Sequence, residues 1–197
     1  TRPGTATSFS LRLRLHYKAA RAGGVIQHGR KMNEVEIKIL TPENWELYKS
    51  VRLSSLKESP DSFGSIYDQE AVLSDAEWRS RLDLKSRDVD ALPLIAELNG
   101  QPVGIAWGFI HNPNLQAAHI YQMWVSPELR GKGIAKSLLL KIKAWALGRG
   151  CSLMALGVTT SNEAAVNLYK KFGFQYIDAP MGCTGHTSCP VWMLKDL

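Results

Sequence analysis

With 197 residues, 45% of them apolar and 21% charged, the chain has the size and composition of a single soluble globular domain with a substantial core. No apolar run approaches ~20 residues, which argues against a membrane-spanning helix, and three cysteines, Cys151, Cys183 and Cys189, are too few for a disulfide scaffold and fit a reducing, cytoplasmic setting. The formal net charge of +6 is uneven: seven basic residues and no acid lie in residues 1–31, leaving 17 basic against 18 acidic residues from Met32 onward, so a general nucleic-acid-binding face is not supported.

Residues 1–31, rich in Arg, Gly, Ser and Thr, read as a basic leader outside the fold: a transit peptide, translated upstream sequence or an added segment. Met32 then stands as a plausible native start, and residues 32–197 form the expected domain. Residues 34–40 alternate polar and apolar side chains and predict a first strand. Thr41-Pro42 opens a helix with a cap and a proline at the first position. Its apolar side carries Trp45, Leu47, Tyr48, Val51 and Leu56, interrupted by Arg52. Ser59-Pro60-Asp61 breaks that helix, and the capping box Ser74-Asp-Ala-Glu77 starts a second one over about 74–84. Trp45 and Trp78 are read as core residues.

Residues 91–98 and 101–110 predict two strands joined by Asn99-Gly100, a pair that accepts the positive φ angles of a type I′ hairpin turn. Residues 117–125 are the fourth strand. A helix follows Gly133 with Ile134, Leu138, Ile142, Trp145 and Ala146 on one face, and Gly148 and Gly150 close it. Residues 151–158 read as a strand buried on both faces. A further helix within residues 161–174 ends at Gly173, and strands at 174–178 and 191–194 complete the chain.

The stretch joining the fourth strand to its helix carries the first functional signal. Arg130-Gly-Lys-Gly133 leads directly into an amphipathic helix, so unpaired backbone N–H groups, the helix dipole, and the charges of Arg130, Lys132 and Lys136 converge on one loop. Such a loop suits phosphate oxygens. The spacing excludes a Walker loop, and the missing third glycine excludes a dinucleotide fingerprint.

Arg130, Gly133 and Ala135 resemble the [Q/R]-x-x-G-x-[G/A] signature of the GNAT superfamily of N-acetyltransferases. About 30 residues later, Asn162-Glu-Ala-Ala-Val-Asn-Leu-Tyr-Lys-Lys-Phe-Gly-Phe174 resembles its second signature, N-x-x-A-x-x-L-Y-x-x-x-G-F. The stretch R-L-S-S-L-K-E-S-P-D-S-F-G is similar to the first helix and loop of bacterial-type single-domain members. The resemblance implies an α/β (α+β) GNAT fold: a mixed, mostly antiparallel central sheet, strands 4 and 5 splayed apart, and helices on both faces.

It also implies a cosubstrate and a site. Acetyl-CoA would lie with its pyrophosphate on the loop of Arg130, Gly131, Lys132, Gly133, Ile134, Ala135 and Lys136. Its pantetheine arm would run along Met123, Trp124 and Val125 and be hydrogen-bonded by Asn162. Tyr169 matches the tyrosine that donates a proton to the leaving thiolate, although a tyrosine on a buried helix face needs no such role. Some members place a Glu eleven residues before the loop arginine. Here that position is His119, a candidate general base that titrates near neutrality, with Tyr121 as an alternative participant.

The expected activity is direct transfer of the acetyl group to a primary amine, preferably of a small molecule. A protein N-terminus or lysine, and a non-catalytic acyl-CoA-binding regulatory role, remain as alternatives. Glu58, Asp61 and Asp68 fall in the region that lines the acceptor site in relatives. Cys183, His186 and Cys189 supply three ligands at a spacing that matches no common zinc pattern, so no metal is expected. No nucleic-acid or membrane partner is expected; a homodimer is possible, dimers being common in the family.

Overall fold

The computed structural model describes residues 35–111, 116–177 and 191–197. The basic residues 1–31 and the segment with Cys183, His186 and Cys189 lie outside them. The strands are β1 (Val35–Ile39), β2 (Asp90–Leu98), β3 (Gln101–Ile110), β4 (Ala117–Val125), β5 (Leu153–Val158), β6 (Gln175–Ile177) and β7 (Val191–Asp196). They form one sheet in the order β1-β2-β3-β4-β5-β7-β6. Every neighbouring pair is antiparallel except β4 with β5. A parallel pair needs a crossover, and the helix α4 (Ile134–Gly148) supplies it.

The hairpin of β2 and β3 forms because Asn99 and Gly100 both adopt positive φ, 53° and 79°, the mirror-image turn that follows strand twist. α4 packs its buried Ile134, Leu138, Leu139, Ile142 and Ala146 on one side of the sheet. Gly108 on β3 permits this approach: a Cβ there would lie 2.8 Å from the Trp145 ring and 3.1 Å from Ile142. On the other side, α1 (Trp45–Glu58) and α3 (Asp75–Leu82) cover β2 and β3 with Tyr48, Val51, Trp78 and Leu82. The fold is thus the expected mixed, mostly antiparallel sheet with helices on both faces.

Several local expectations change in detail. A turn of 3-10 helix over Pro42–Asn44 precedes α1. The strand expected to start at Cys151 starts at Leu153, and β6 is short and exposed. Trp78 is fully buried, while Trp45 is only half-buried. A short helix, α2 (Tyr67–Ala71), stands where none was read.

That helix explains Arg52. Its side chain does not break the apolar face of α1 by turning to water; it is buried, bonding Glu70 of α2 through Nη2 at 3.0 Å and Nε at 3.3 Å. Arg81 of α3 bonds the same carboxylate at 2.7 Å. One buried acid therefore ties three helices together.

Candidate functional site

β4 ends at Val125, and the chain makes one 3-10 turn, Pro127–Leu129, before the glycine loop. Gly131 and Gly133 take φ of 78° and 85°, a region costly for side chains with a Cβ. Nothing lies within 4 Å of where a Cβ would stand on either, so both glycines serve backbone shape and the loop faces open space. Ser137 N–H reaches back to the Gly133 carbonyl at 3.0 Å and closes the first turn of α4. Among the described residues, no partner accepts from the backbone N–H groups of Gly131 to Lys136. Six donors at the positive end of a 15-residue helix form a cradle for anionic oxygens.

The charges around this cradle differ from the expectation in one respect. Lys132 and Lys136 are exposed. The Arg130 guanidinium folds back instead: Nε donates to the Val125 carbonyl at 3.0 Å and Nη2 to Glu58 Oε2 at 2.7 Å. The loop's positive character therefore rests on amides and two lysines, with Arg130 neutralised locally.

Behind the loop, the sheet opens. β4 pairs with β5 only from Ala117↔Leu153 to Ile120↔Leu156. Beyond Ile120, β4 runs on to Val125 without pairing β5, while β5 stays paired to β7. A β-bulge accompanies the divergence: Ile105 pairs with Trp124 and Trp107 with Tyr121, so Gln122 and Met123 together oppose Ala106. Gln122 has φ of 52°, and the Tyr48 hydroxyl of α1 donates to its Oε1 at 3.2 Å. Met123 is half-buried, and Trp124 and Val125 are buried, at the end of the diverging strand. The expected splay of strands 4 and 5 is present.

The far bank is the start of the helix α5 (Glu163–Phe172). Asn162 caps it, its Oδ1 accepting from Ala165 N–H at 3.1 Å, and its Nδ2 donates to Ser62 Oγ at 3.1 Å. Thr159 Oγ1 donates to the Asp61 carbonyl at 3.3 Å. Residues 58–62, the end of α1 and the turn after it, thus touch both banks of the opening.

His119 and Tyr169 stand on opposite sides of the sheet. Tyr169 lies in the core layer with α4 and α5, edge-on to Phe174 at 5.8 Å between ring centroids. Burial pushes its phenol pKa up, and its hydroxyl has no hydrogen-bond partner among the described residues. His119 is half-buried in a row of rings: His111, just past β3, at 5.2 Å, Tyr121 of β4 at 6.4 Å and Trp192 of β7 at 6.4 Å. His111 Nε2 and the Tyr121 hydroxyl share a hydrogen bond of 2.9 Å. Burial first, and then the neighbouring His111, hold the His119 pKa below its ordinary value. Its Nδ1 is buried without a partner among the described residues. A neutral imidazole can accept a proton at its unprotonated ring nitrogen.

The sequence reading missed several contributors. Glu58 was named only for the acceptor region, and its bonds were not foreseen: its Oε2 accepts from Trp124 Nε1 at 2.9 Å, from Arg130 and from Ser59. Tyr48, Gln122 and His111 were not singled out. The one available signal was the charge of Arg52 within an apolar stripe, since a buried cation requires a partner. Among the described residues no group of three His, Cys, Asp or Glu is placed to hold a metal ion, and no helix is long and apolar enough to cross a membrane.

The sequence model of the acetyltransferase (GNAT) family matches residues 53–174, more than half of the chain. The chain is 40% identical over 78 residues to an uncharacterised N-acetyltransferase, YjgM, of Escherichia coli strain K12. That match covers 40% of this chain and 47% of the relative, so the chain spans about half the length of the relative it matches. A GNAT-family acetyltransferase from Streptococcus pneumoniae superposes with a TM-score of 0.69 at 22% identity, covering 83% of this chain and 100% of that one. The PaiA N-acetyltransferase of Thermoplasma acidophilum, solved in complex with coenzyme A, gives 0.61 at 20% identity, covering 83% and 99%. At these identities the structural likeness establishes the fold.

Proposed function

We propose that this chain, which belongs to the acetyltransferase (GNAT) family, moves the acetyl group of acetyl-CoA directly to a primary amine of a small molecule. The observation that carries this reading is the coincidence of two features. The sheet opens between β4 and β5, and six unpartnered N–H groups, Gly131 to Lys136, stand at the end of that opening. A pyrophosphate and an extended thiol arm need such a pair of features, and the unpartnered donors fit the phosphates in number and sign.

In this reading the amides of residues 131–136, with Lys132 and Lys136, hold the pyrophosphate. Met123, Trp124 and Val125 line the arm, and Asn162 bonds it from the far bank. Bound acetyl-CoA supplies an activated acyl group and a thiolate leaving group. Backbone donors on the diverging end of β4 stabilise the charge that develops on the acyl oxygen. His119 takes the proton from the attacking nitrogen as the new C–N bond forms. Tyr169, kept protonated by burial, gives its proton to sulfur as the C–S bond breaks.

Two observations support a small acceptor. His119 is half-buried beside the rings of His111, Tyr121 and Trp192, an aromatic surround suited to a compact amine. The turn after α1 bonds across to Thr159 and Asn162 and narrows the approach for a polypeptide. The test is free-thiol release from acetyl-CoA over a panel of polyamines, amino acids, aminoglycosides and peptides. Turnover with a small amine is expected. Turnover only with peptides would replace the acceptor class, and tight acetyl-CoA binding without any turnover would make the chain a binding module.

A further inference from the structure

The helix α1 ends in a pair of charged residues. Glu58 sits in the last turn of that helix, beside Lys57. A carboxylate is disfavoured there, because the helix C-terminus already carries negative partial charge. Its position is offset by tertiary bonds. One oxygen, Oε2, accepts from the Ser59 hydroxyl, from Trp124 Nε1 at 2.9 Å and from Arg130 Nη2 at 2.7 Å.

These donors belong to three separate parts of the site. Trp124 lies just beyond the bulge on the diverging end of β4. Arg130 is the residue before the glycines, and its Nε also holds the Val125 carbonyl. Ser59 begins the turn whose Asp61 carbonyl and Ser62 hydroxyl accept from Thr159 and Asn162 on the opposite bank. Arg130 is therefore clamped between α1 and the end of β4, which fixes the direction in which the loop leaves the strand. Desolvation opposes the charge on Glu58, but the bonds from Ser59, Trp124 and Arg130 outweigh it and hold the carboxyl below its usual range.

We infer that Glu58 is a positioning residue: its carboxylate sets the glycine loop and the end of β4 in the arrangement that receives the phosphates of acetyl-CoA. The inference rests on the reading of residues 130–136 as the phosphate cradle. In this role Glu58 acts through Arg130 and Trp124.

The experiment measures acetyl-CoA binding by calorimetry on the full chain, with kcat and KM for an amine that turns over. Glu58→Ala removes all three bonds. Glu58→Gln keeps an acceptor for Trp124 and Ser59 while removing the charge opposite Arg130, and it serves if the alanine variant folds poorly. Both sites of the ion pair are partly exposed, with side chains 46% and 33% accessible. The expected rise in Kd and KM for acetyl-CoA is therefore about five- to tenfold for Glu58→Ala and smaller for Glu58→Gln. The kcat at saturation should stay within about twofold. In an Arg130→Ala background the same change should cost less than half as much, since one partner is already gone. Unchanged or tighter binding would overturn the inference, as would an undiminished loss in that background. A wild-type chain that fails to bind acetyl-CoA would refute the cradle itself, and this inference with it.

Discussion

Removing the carboxylate of Glu70 should damage stability far more than removing the whole charged pair. Arg52 is 2% exposed and Glu70 7%. Arg52 holds Glu70 through two nitrogens, its third nitrogen, Nη1, is already buried without a partner, and Phe63 lies 4.8 Å from the guanidinium. Glu70→Ala would leave a buried cation with nothing opposite it. Arg81, 31% accessible, can turn to water, whereas Arg52 has no such route. Breaking one side of a buried pair costs about 3–5 kcal/mol, a large part of the roughly 5–15 kcal/mol that holds a domain together. For a chain of this size that is a fall in Tm of about 6–20 °C. The double change Arg52→Met with Glu70→Leu should recover most of the loss, because apolar groups of similar volume need no partner. Urea unfolding with an unchanged slope is the assay. A loss under ~1 kcal/mol for Glu70→Ala, or a double variant no better than the single, would refute the reasoning. Linkage gives a second check. Desolvation opposes the Glu70 charge, but Arg52 and Arg81 outweigh it and depress its pKa. The depressed pKa stabilises the fold above the ordinary carboxylate range, and that contribution is lost as pH falls below about 4.

Two further predictions concern the reaction. The His119 pKa is lowered by burial and by His111, so the acid limb of kcat/KM should fall below pH ~6.5. His119→Gln should abolish that limb and lower kcat/KM by about 100-fold, while wild-type activity across pH ~6–9 in the variant would remove the base role. The same lowered pKa makes the unfolded chain bind more protons than the native one as pH drops through ~6.5, so His119 costs stability on acidification and the glutamine variant should lose less. Tyr169→Phe should reduce kcat about 100-fold with acetyl-CoA binding within about twofold; an unchanged kcat would leave the tyrosine a packing residue.

Much of the sheet was legible because each signal was local. Asn99-Gly100 specifies its turn through backbone angles alone, and the apolar face of α4 repeats over 15 residues. The glycine loop was legible for the same reason, since glycine positions and helix start are adjacent in the chain. α2 escaped because five residues, Tyr-Asp-Gln-Glu-Ala, are too few to show a period, and its one buried side chain is charged. Arg52 looked like a break in a stripe because its partner lies in that unseen helix. The partners of Glu58 were out of reach: Trp124 and Arg130 are 66 and 72 residues away. No spacing rule reaches across that distance. The bulge at Gln122 was hidden too, since the residue shows no glycine or proline to mark an irregular strand, and its positive φ depends on pairing with β3.

The account stands most directly on the binding of acetyl-CoA by the loop after β4. Calorimetric titration of the wild-type chain and of Gly133→Val addresses it. Gly133 holds φ of 85° with open space around it, so a branched side chain there reshapes the backbone without touching the core. Saturable one-to-one binding is expected for the wild type, with a loss of at least tenfold for Gly133→Val at nearly unchanged Tm. No binding by the wild type, or equal affinity in the variant, would contradict the account.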